Sequence, residues 1–590
     1  MNRQFYDNER EIDLAEQKRL HKREKEIIAA RTIIFLGAAG SFGIGWDNDL
    51  HYCYIVGAIF TMIFIRLKNY HEELKRRQRF LKSRLTVVNS YISRARGTWR
   101  KRANDGSIYL KKERPQDEDL HIFGAGSIYQ YMCAARTKRG RDLLAEAFKF
   151  EPPDFNEVRN RQRAVAELLQ RPRLTLDLEA QGRLMPKNHD TSELIESVEE
   201  EREELGKIYR LRYVQPLIVA AGFLIWQLGY ADWTLIVAVM FFGLLFAAAA
   251  IPAVNDKIQA LELIRQELKV YETVFERLEG TNFRSKSLMA IQEILTDETR
   301  ASNELKKLRL LVKLAKWRHN PLWFIIGNGL CIIDYHMVSW YMQWRSRAAW
   351  HLRSWIDAWS EMEVLMSLAT IGQTREDYCF PVLREGKEPY LKAEGLTSLL
   401  VTKGVGNDVE LTAGTTIITG ANMSGKTTWI RTLAGAVMLA YAGAPVCARS
   451  FEVSGLTVLT SIRVNDDISE GLSTFYAELL RLKGMIERTE RGETLLICID
   501  EIFKGTNSND RVSGAKEAIR RLTTDNNITL VTTHDFELCE MAKENAHIKN
   551  SHFEEYYEGE EIKFDYKLRE GRTHTTNAKY LLRLAGIHVA

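Results

Sequence analysis

Four apolar runs free of Lys, Arg, Asp and Glu interrupt an otherwise charged chain, and they come in two pairs. The first pair, Thr32–Trp46 and Leu50–Ile65, is shorter than the roughly 17–25 residues of a spanning helix, although flanking residues can extend both runs. The second pair is longer: "YVQPLIVAAGFLIWQLGYA" (Tyr213–Ala231) and "WTLIVAVMFFGLLFAAAAIPAVN" (Trp233–Asn255), separated by the single Asp232. Each pair reads as a membrane hairpin. The links within the pairs carry acid and no Lys or Arg, while the outer flanks (Arg31, "RLKNYHEELKRRQRFLKSR" and "KIYRLR") are basic. By the positive-inside rule, each hairpin then begins and ends on the cytoplasmic side. A fifth run, Pro321–Ile333, is too short to span and is predicted to be a buried core helix.

Between and after the hairpins the period changes. Apolar positions recur at three and four residues among dense charges over Thr191–Arg212 and Asp256–Lys316, as in "IQALELIRQELKVYETVFERLEG". This is the pattern of amphipathic helices, predicted to extend from the second hairpin as an antiparallel pair. The Trp- and Tyr-rich stretch Trp317–Trp359 is read as helix packing. The stretch Lys68–Arg102 is dense in Lys and Arg, with only Glu72 and Glu73 opposing within it. Anionic lipid and nucleic acid both suit such a run, and composition does not separate them.

Size and composition narrow the class. A chain of 590 residues exceeds one hydrophobic core. The net charge of +4 demands no nucleic-acid partner, and seven scattered Cys without a CxxC pair read as free thiols in a reducing compartment. The charged N-terminal stretch carries no cleavable-signal pattern.

The candidate chemistry lies in the last third. The apolar strand Ile417–Thr419 runs into Gly420-Ala421-Asn422-Met423-Ser424-Gly425-Lys426-Thr427-Thr428, which matches GxxxxGK[ST], and a helix follows. Strand, loop and helix in that order cradle phosphates with loop amides and the helix N-terminus. Lys426 would neutralise β- and γ-phosphate charge, and the Thr427 hydroxyl would be a Mg²⁺ ligand. "TLLICIDE" (Thr494–Glu501) reads as a buried strand ending in two carboxylates. Asp500 is placed to hold Mg²⁺ through water, and Glu501 to orient or deprotonate the attacking water. "ITLVTTH" ends in His534, placed to sense the γ-phosphate. Three such strands put these groups along one edge of a parallel sheet, where doubly wound folds bind ligands.

These segments resemble the MutS family of DNA mismatch repair ATPases. "TGANMSGKTTWIR" is similar to the family's TGPNMxGKST-aromatic-x-R loop, with Ala421 for Pro. "NDDISEGLSTFYAEL", "DEIFKGTNSND", "TTHDFEL" and "YKLREGRTHTTNAKYLLRLAGI" resemble its later motifs in order. Upstream, "DLHIFGAGSIYQYMCAARTKRGRDLLAEAF", "RNRQRAVAELL" and "GVGNDVEL" resemble its helical core and the stretch before its ATPase strands. The resemblance implies ATP and Mg²⁺ as cofactors and a homodimer with nucleotide sandwiched between subunits, Ser508 reaching the partner's γ-phosphate in trans. The upstream aromatic that stacks on adenine in relatives has no evident counterpart, and Gly404 stands near its place. No mismatch-reading domain precedes the core, and a membrane hairpin takes the place of the DNA clamp.

The expected fold is therefore multidomain: an all-α helical core and lever region carrying two transmembrane hairpins, plus a C-terminal α/β P-loop ATPase domain of MutS (ABC-like) type. The expected divisions are residues 1–31 (charged cytoplasmic segment), 32–66 (first hairpin), 67–117 (basic helix and linker), 118–212 (core, first part), 213–255 (second hairpin), 256–390 (core and lever, second part) and 391–590 (ATPase). The expected protein is a multi-pass ATPase of the cell membrane with its ATPase domain in the cytoplasm and lipid, ATP and DNA as partners. Two alternatives stay open. One is a membrane scaffold or sensor switched by ATP without DNA. The other is an ABC-type transporter ATPase, against which stands the lack of an LSGGQ-like signature between Lys426 and Asp500.

Overall fold

The computed structural model describes residues 2–48, 50–186, 195, 212–263, 265–463, 474–503, 508–558 and 561–572. Its first feature is a long helical hairpin, α1 (Asn2–Asp47) and α2 (His51–Ala95). The charged and apolar halves that the sequence separates are continuous helix. At 46 and 45 residues, each helix is long and apolar enough over one window to cross a membrane, by length and composition alone. Apolar side chains such as Ile33, Leu36, Ile55 and Met62 point outward near the tip.

At the other end of the hairpin, acids of α1 meet the basic run of α2. Arg77 lies 2.5 Å from Glu16, and Arg96 lies 3.4 Å from Asp7. Arg84 is buried and holds Glu9 (2.6 Å), Asp13 and Asp177 (2.8 Å). The run that looks almost unopposed in sequence is thus partly opposed across the hairpin. Tyr6, Val87, Val88 and Tyr91 then pack on Leu176 and Ala180.

Those last two residues belong to the helical core. It comprises α3 (Gln116–Asp119), α4 (Ile128–Met132), α5 (Lys138–Glu146), α6 (Phe155–Leu169) and α7 (Pro172–Gly182), then α8 (Val214–Gln227) and α9 (Thr234–Leu263). After these come α10 (Arg265–Glu279), α11 (Lys286–Thr296), α12 (Ala301–Arg318), α13 (Pro321–Cys331) and α14 (Ile333–Thr374). Helix α14 is the spine: Trp344, Leu352, Trp355, Trp359 and Leu368 are buried in one cluster with residues of α5, α6, α10, α11 and α12. The packing expected of Trp317–Trp359 holds for Trp344, Trp355 and Trp359, whereas Trp317, Trp340 and Trp350 are exposed.

The second apolar pair forms α8 and the first part of α9, with Gly229 in left-handed backbone at the turn before Asp232. One expectation needs correction. Helix α13 is no buried core helix. Leu322, Trp323, Ile325 and Ile326 face outward, Leu322 at 71% exposure. Uniform apolarity cannot distinguish a side chain facing a protein core from one facing away from it. The helix expected over Thr191–Arg212 lies, apart from Ile195 and Arg212, outside the described residues.

The C-terminal module is α/β. A small sheet of order β1-β5-β2-β3 is formed by β1 (Val382–Leu383), β2 (Tyr390–Leu396), β3 (Asn407–Thr412) and β5 (Ser450–Val453). A six-stranded sheet of order β10-β9-β4-β8-β7-β6 follows. Its strands are β4 (Gly414–Thr419), β6 (Thr457–Ser461), β7 (Leu495–Asp500), β8 (Asn527–Thr532), β9 (Ile548–Glu558) and β10 (Glu561–Glu570). All pairings are parallel except β9–β10. Helices α15 (Lys426–Ala442), α16 (Thr474–Glu490) and α17 (Ser508–Leu522) complete the module. Strands β7 and β8 are buried along their whole length, as expected of apolar strands inside a parallel sheet.

Candidate nucleotide site

Register puts the chemistry on one edge. Asp500 pairs with Thr532, and Thr532 pairs with Ile418, so three strands end together. Glycine is required in the loop after β4: Gly420 and Gly425 have φ of 148° and 106°. The Lys426 ammonium is buried and donates to the carbonyls of Gly420 (2.7 Å) and Ala421 (2.9 Å), which fixes it at the centre of the loop. Ser424 Oγ is buried with no hydrogen-bond partner among the described residues. Asn422, Met423 and Thr428 are exposed on the rim.

Thr427 Oγ1 donates to Asp500 Oδ2 at 2.8 Å, and Asp500 Oδ1 accepts from Thr532 Oγ1 at 2.5 Å. The sequence places Thr427 and Asp500 73 residues apart, and the sheet brings them together. A hydroxyl beside a carboxylate is an oxygen-only donor pair. It suits Mg²⁺, which takes one or two protein oxygens and keeps several waters. No cluster of three or more His, Cys, Asp and Glu suited to another metal occurs among the described residues.

Glu501 is held in left-handed backbone, φ 56°, with its N–H donating to Thr532 O and Oγ1 at 3.1 and 3.0 Å. A non-glycine residue persists there only when its surroundings fix it. His534 Nε2 lies 2.9 Å from Glu501 Oε1. Because a carboxylate only accepts, that ring nitrogen carries the proton. His534 therefore acts first on Glu501, a pairing that the sequence does not show. Arg511, in the first turn of α17, grips Asp535 with two bonds of 3.1 and 2.9 Å and fixes the His534 loop. Ser508 opens α17; its side chain, residues 464–473 and residues 573–590 lie outside what is described.

The loop borders a cavity of about 620 Å³, lined on the far side by Lys403, Gly404, Val405 and Asn407 and closed by Tyr566. Sequence reasoning missed Tyr566. It sits on a bulge of β10 at φ 56°, beside Gly425. Asn407 pins that bulge: its Nδ2 donates to Tyr566 O at 3.0 Å, and its Oδ1 accepts from Leu568 N at 2.8 Å. An aromatic thus stands over the cavity from the C-terminal side, with Gly404 among the lining residues opposite. The one sequence signal for it is the aromatic pair in "IKFDYKL" ahead of Gly571. Another clasp comes from the end of α14, where Arg375 Nη2 donates to the carbonyls of Ser398, Leu399 and Val401 at 2.8–3.0 Å.

Arg431 of the loop motif points away from the cavity. Its Nε donates to the Asp119 carbonyl at 2.8 Å. The fully buried Asp119 carboxylate accepts from Thr460 Oγ1 (2.6 Å), Ile462 N (3.1 Å), Arg463 N (2.7 Å) and Arg481 (3.2 Å). One residue of the helical core therefore joins α15, the end of β6 and α16.

Comparison with known proteins agrees with this geometry. Residues 416–589 match the family model of MutS domain V. The DNA mismatch repair protein MutS of Halalkalibacterium halodurans is 31% identical over 236 residues, 39% of this chain and 27% of that protein. The protein of the same name from Persephonella marina is 34% identical over 174 residues, 29% of this chain and 20% of that protein. The chain spans about a quarter of the length of these relatives. With the strand–loop–helix, the paired acids and the domain V match in one module, residues 416–589 are those that resemble the MutS family.

Proposed function

We propose that this chain is a membrane-anchored MutS-like ATPase that hydrolyses ATP at a subunit interface on the cytoplasmic face and couples the cycle to DNA. The observation that carries the ATPase reading is the Thr427–Asp500 contact beside Lys426 and the Glu501–His534 pair. Lys426, now engaged with loop carbonyls, would turn to the β- and γ-phosphates. Thr427 and Asp500 would hold Mg²⁺, which when bound supplies positive charge between those phosphates. Glu501 would position and deprotonate the attacking water while His534 holds its carboxylate in place. Tyr566 would stack on the base. Ser508 would complete the partner's site.

The anchoring reading rests on the outward apolar halves of α1 and α2, supported by the exposed faces of α8 and α9. DNA enters through the names of the matched relatives. One observation favours the scaffold alternative, with ATP as a conformational switch and no DNA: the arginines at 77, 84 and 96 face acids of the chain itself.

Lys426→Ala and Glu501→Gln are each expected to abolish ATP turnover, since each removes a group acting in the transition state; wild-type rates in both would refute the site. Mixing Ser508→Ala with Lys426→Ala chains should restore part of the activity if sites are shared. Binding of the detergent-solubilised protein to paired, mismatched and branched DNA over a salt series separates the two readings. No binding to any of them selects the scaffold.

A further inference from the structure

The apolar helix α13 carries four large side chains, Leu322, Trp323, Ile325 and Ile326, on an exposed face, with Trp323 edge-on to Trp317 at 5.0 Å. The helix is seated on α9 by glycine. A Cβ on Gly243 would come within 2.7 Å of Gly329 O and 2.8 Å of Asn328 O, so the two backbones touch. Gln215 of α8 is buried at the same junction and donates to Val239 O (2.8 Å) and Gly329 O (2.9 Å), which ties three helices at one point. Close approach through small residues, with a single polar side chain as glue, is how helices associate in lipid.

Several polar groups at the helix ends find partners within the chain, while Asn328 Nδ2 and Asp334 Oδ1 are buried with no hydrogen-bond partner among the described residues. Asn320 Oδ1 caps the start by accepting from Leu322 N and Trp323 N. At the other end the chain bends by 81° at Ile332, and Asn328 Oδ1 accepts the Asp334 N–H there. Arg318 and Asp334 pair at 2.9 Å, with Asp334 fully buried. Backbone groups at a helix break in hydrocarbon need such internal partners, because hydrocarbon offers no hydrogen bonds. Eleven residues span about 16 Å, roughly half the hydrocarbon thickness. The helices on either side, α12 and α14, share the buried core, so the chain goes in and comes out on one side. Lys316, just ahead of α13 and exposed, suits anionic headgroups.

We infer that α13 is a re-entrant membrane element, its outward face covered by lipid acyl chains in the leaflet next to the helical core and continuous with the faces of α8 and α9. This rests on the anchoring reading above. It makes the bend at Ile332 the deepest point, from which the spine helix α14 turns back toward the helical core.

The test is photo-crosslinking of the full chain reconstituted in phosphatidylethanolamine–phosphatidylglycerol vesicles. A benzophenone amino acid replaces Ile326, Phe242 of α9 or Leu310 of α12. All three are exposed, so no packed side chain is removed. Lipid adducts of comparable yield at positions 326 and 242, and none at 310, are expected in the mass spectrum. Adducts at 242 without any at 326 overturn the inference and leave anchoring intact. Adducts at neither position overturn both. A chain-to-chain adduct at 326 assigns the face to a second copy and overturns the lipid assignment.

Discussion

Replacing Asp119 with asparagine tests whether one buried carboxylate holds the helical core to the nucleotide module. The best placement of the new amide keeps its oxygen where Oδ2 stands, still accepting from Thr460, Ile462 and Arg481. Its NH₂ then faces the N–H of Arg463, which loses its acceptor. An orphaned buried donor costs about 1–3 kcal/mol, and the three retained bonds fall from charge-assisted to neutral strength. The total is about 3–5 kcal/mol for opening this joint, the range measured when one partner of a buried pair is removed. Hydrogen exchange reads it directly, because the amides of Ile462 and Arg463 are the donors concerned. Their protection should fall roughly 10²- to 4 × 10³-fold in Asp119→Asn, at about 1.4 kcal/mol per factor of ten. In Thr460→Val, which removes one donor and leaves the carboxylate satisfied by the others, the loss should be about tenfold or less. Unchanged protection in Asp119→Asn would refute the joint.

Tyr566→Ala should weaken binding of a fluorescent ATP analogue by about tenfold in Kd, and Tyr566→Phe by little, since the ring rather than the hydroxyl closes the cavity; equal Kd in all three removes Tyr566 from the site. His121 is half-buried beside Arg463 and Arg431, and burial first, then those charges, lowers its pKa from 6.5 to about 4. The unfolded chain therefore takes up a proton between pH 6.5 and 4 while the folded chain does not, so stability falls as pH drops through that window. His121→Asn, which tolerates the φ of 52°, should flatten the thermal midpoint over this range, and parallel pH profiles would refute the assignment. Arg84→Met leaves the carboxylates of Glu9, Asp13 and Asp177 facing one another without their shared cation. Limited proteolysis should then cut α1 near Glu9 much faster than in wild type; an unchanged rate would show that apolar packing alone holds the hairpin.

Most of the candidate site was legible because its residues are local: a loop of nine residues and two strand ends specify Lys426, Thr427, Asp500 and Glu501. What escaped depends on distance or surroundings. Asp119 meets Arg463 across 344 positions, and nothing near it in sequence marks the meeting. Tyr566 acts through a bulge that Asn407 sets from 159 residues away. The charge run of α2 looked open because its counter-ions lie on α1. Helix α13 was misplaced because a wholly apolar segment carries no periodicity to tell its two sides apart. The continuity of α1 across its charged and apolar halves was hidden for the opposite reason, since the change in composition suggested a boundary that the backbone ignores.

Helix α14 runs 42 residues without proline, about 63 Å from the bend at Ile332 to Thr374. Its far end continues directly into Arg375, whose guanidinium holds the three carbonyls beside the candidate site. Mechanically it is a stiff pointer with its tip on the site. A tilt of about 10° about that tip sweeps the other end through about 11 Å, by the length that the helical rise sets. The gearing also runs backward. Under the anchoring proposed above, pressure or thickness changes acting on the apolar end would reach the carbonyl loop reduced in amplitude and increased in force, making the bilayer's own mechanics an input to how tightly the cavity closes.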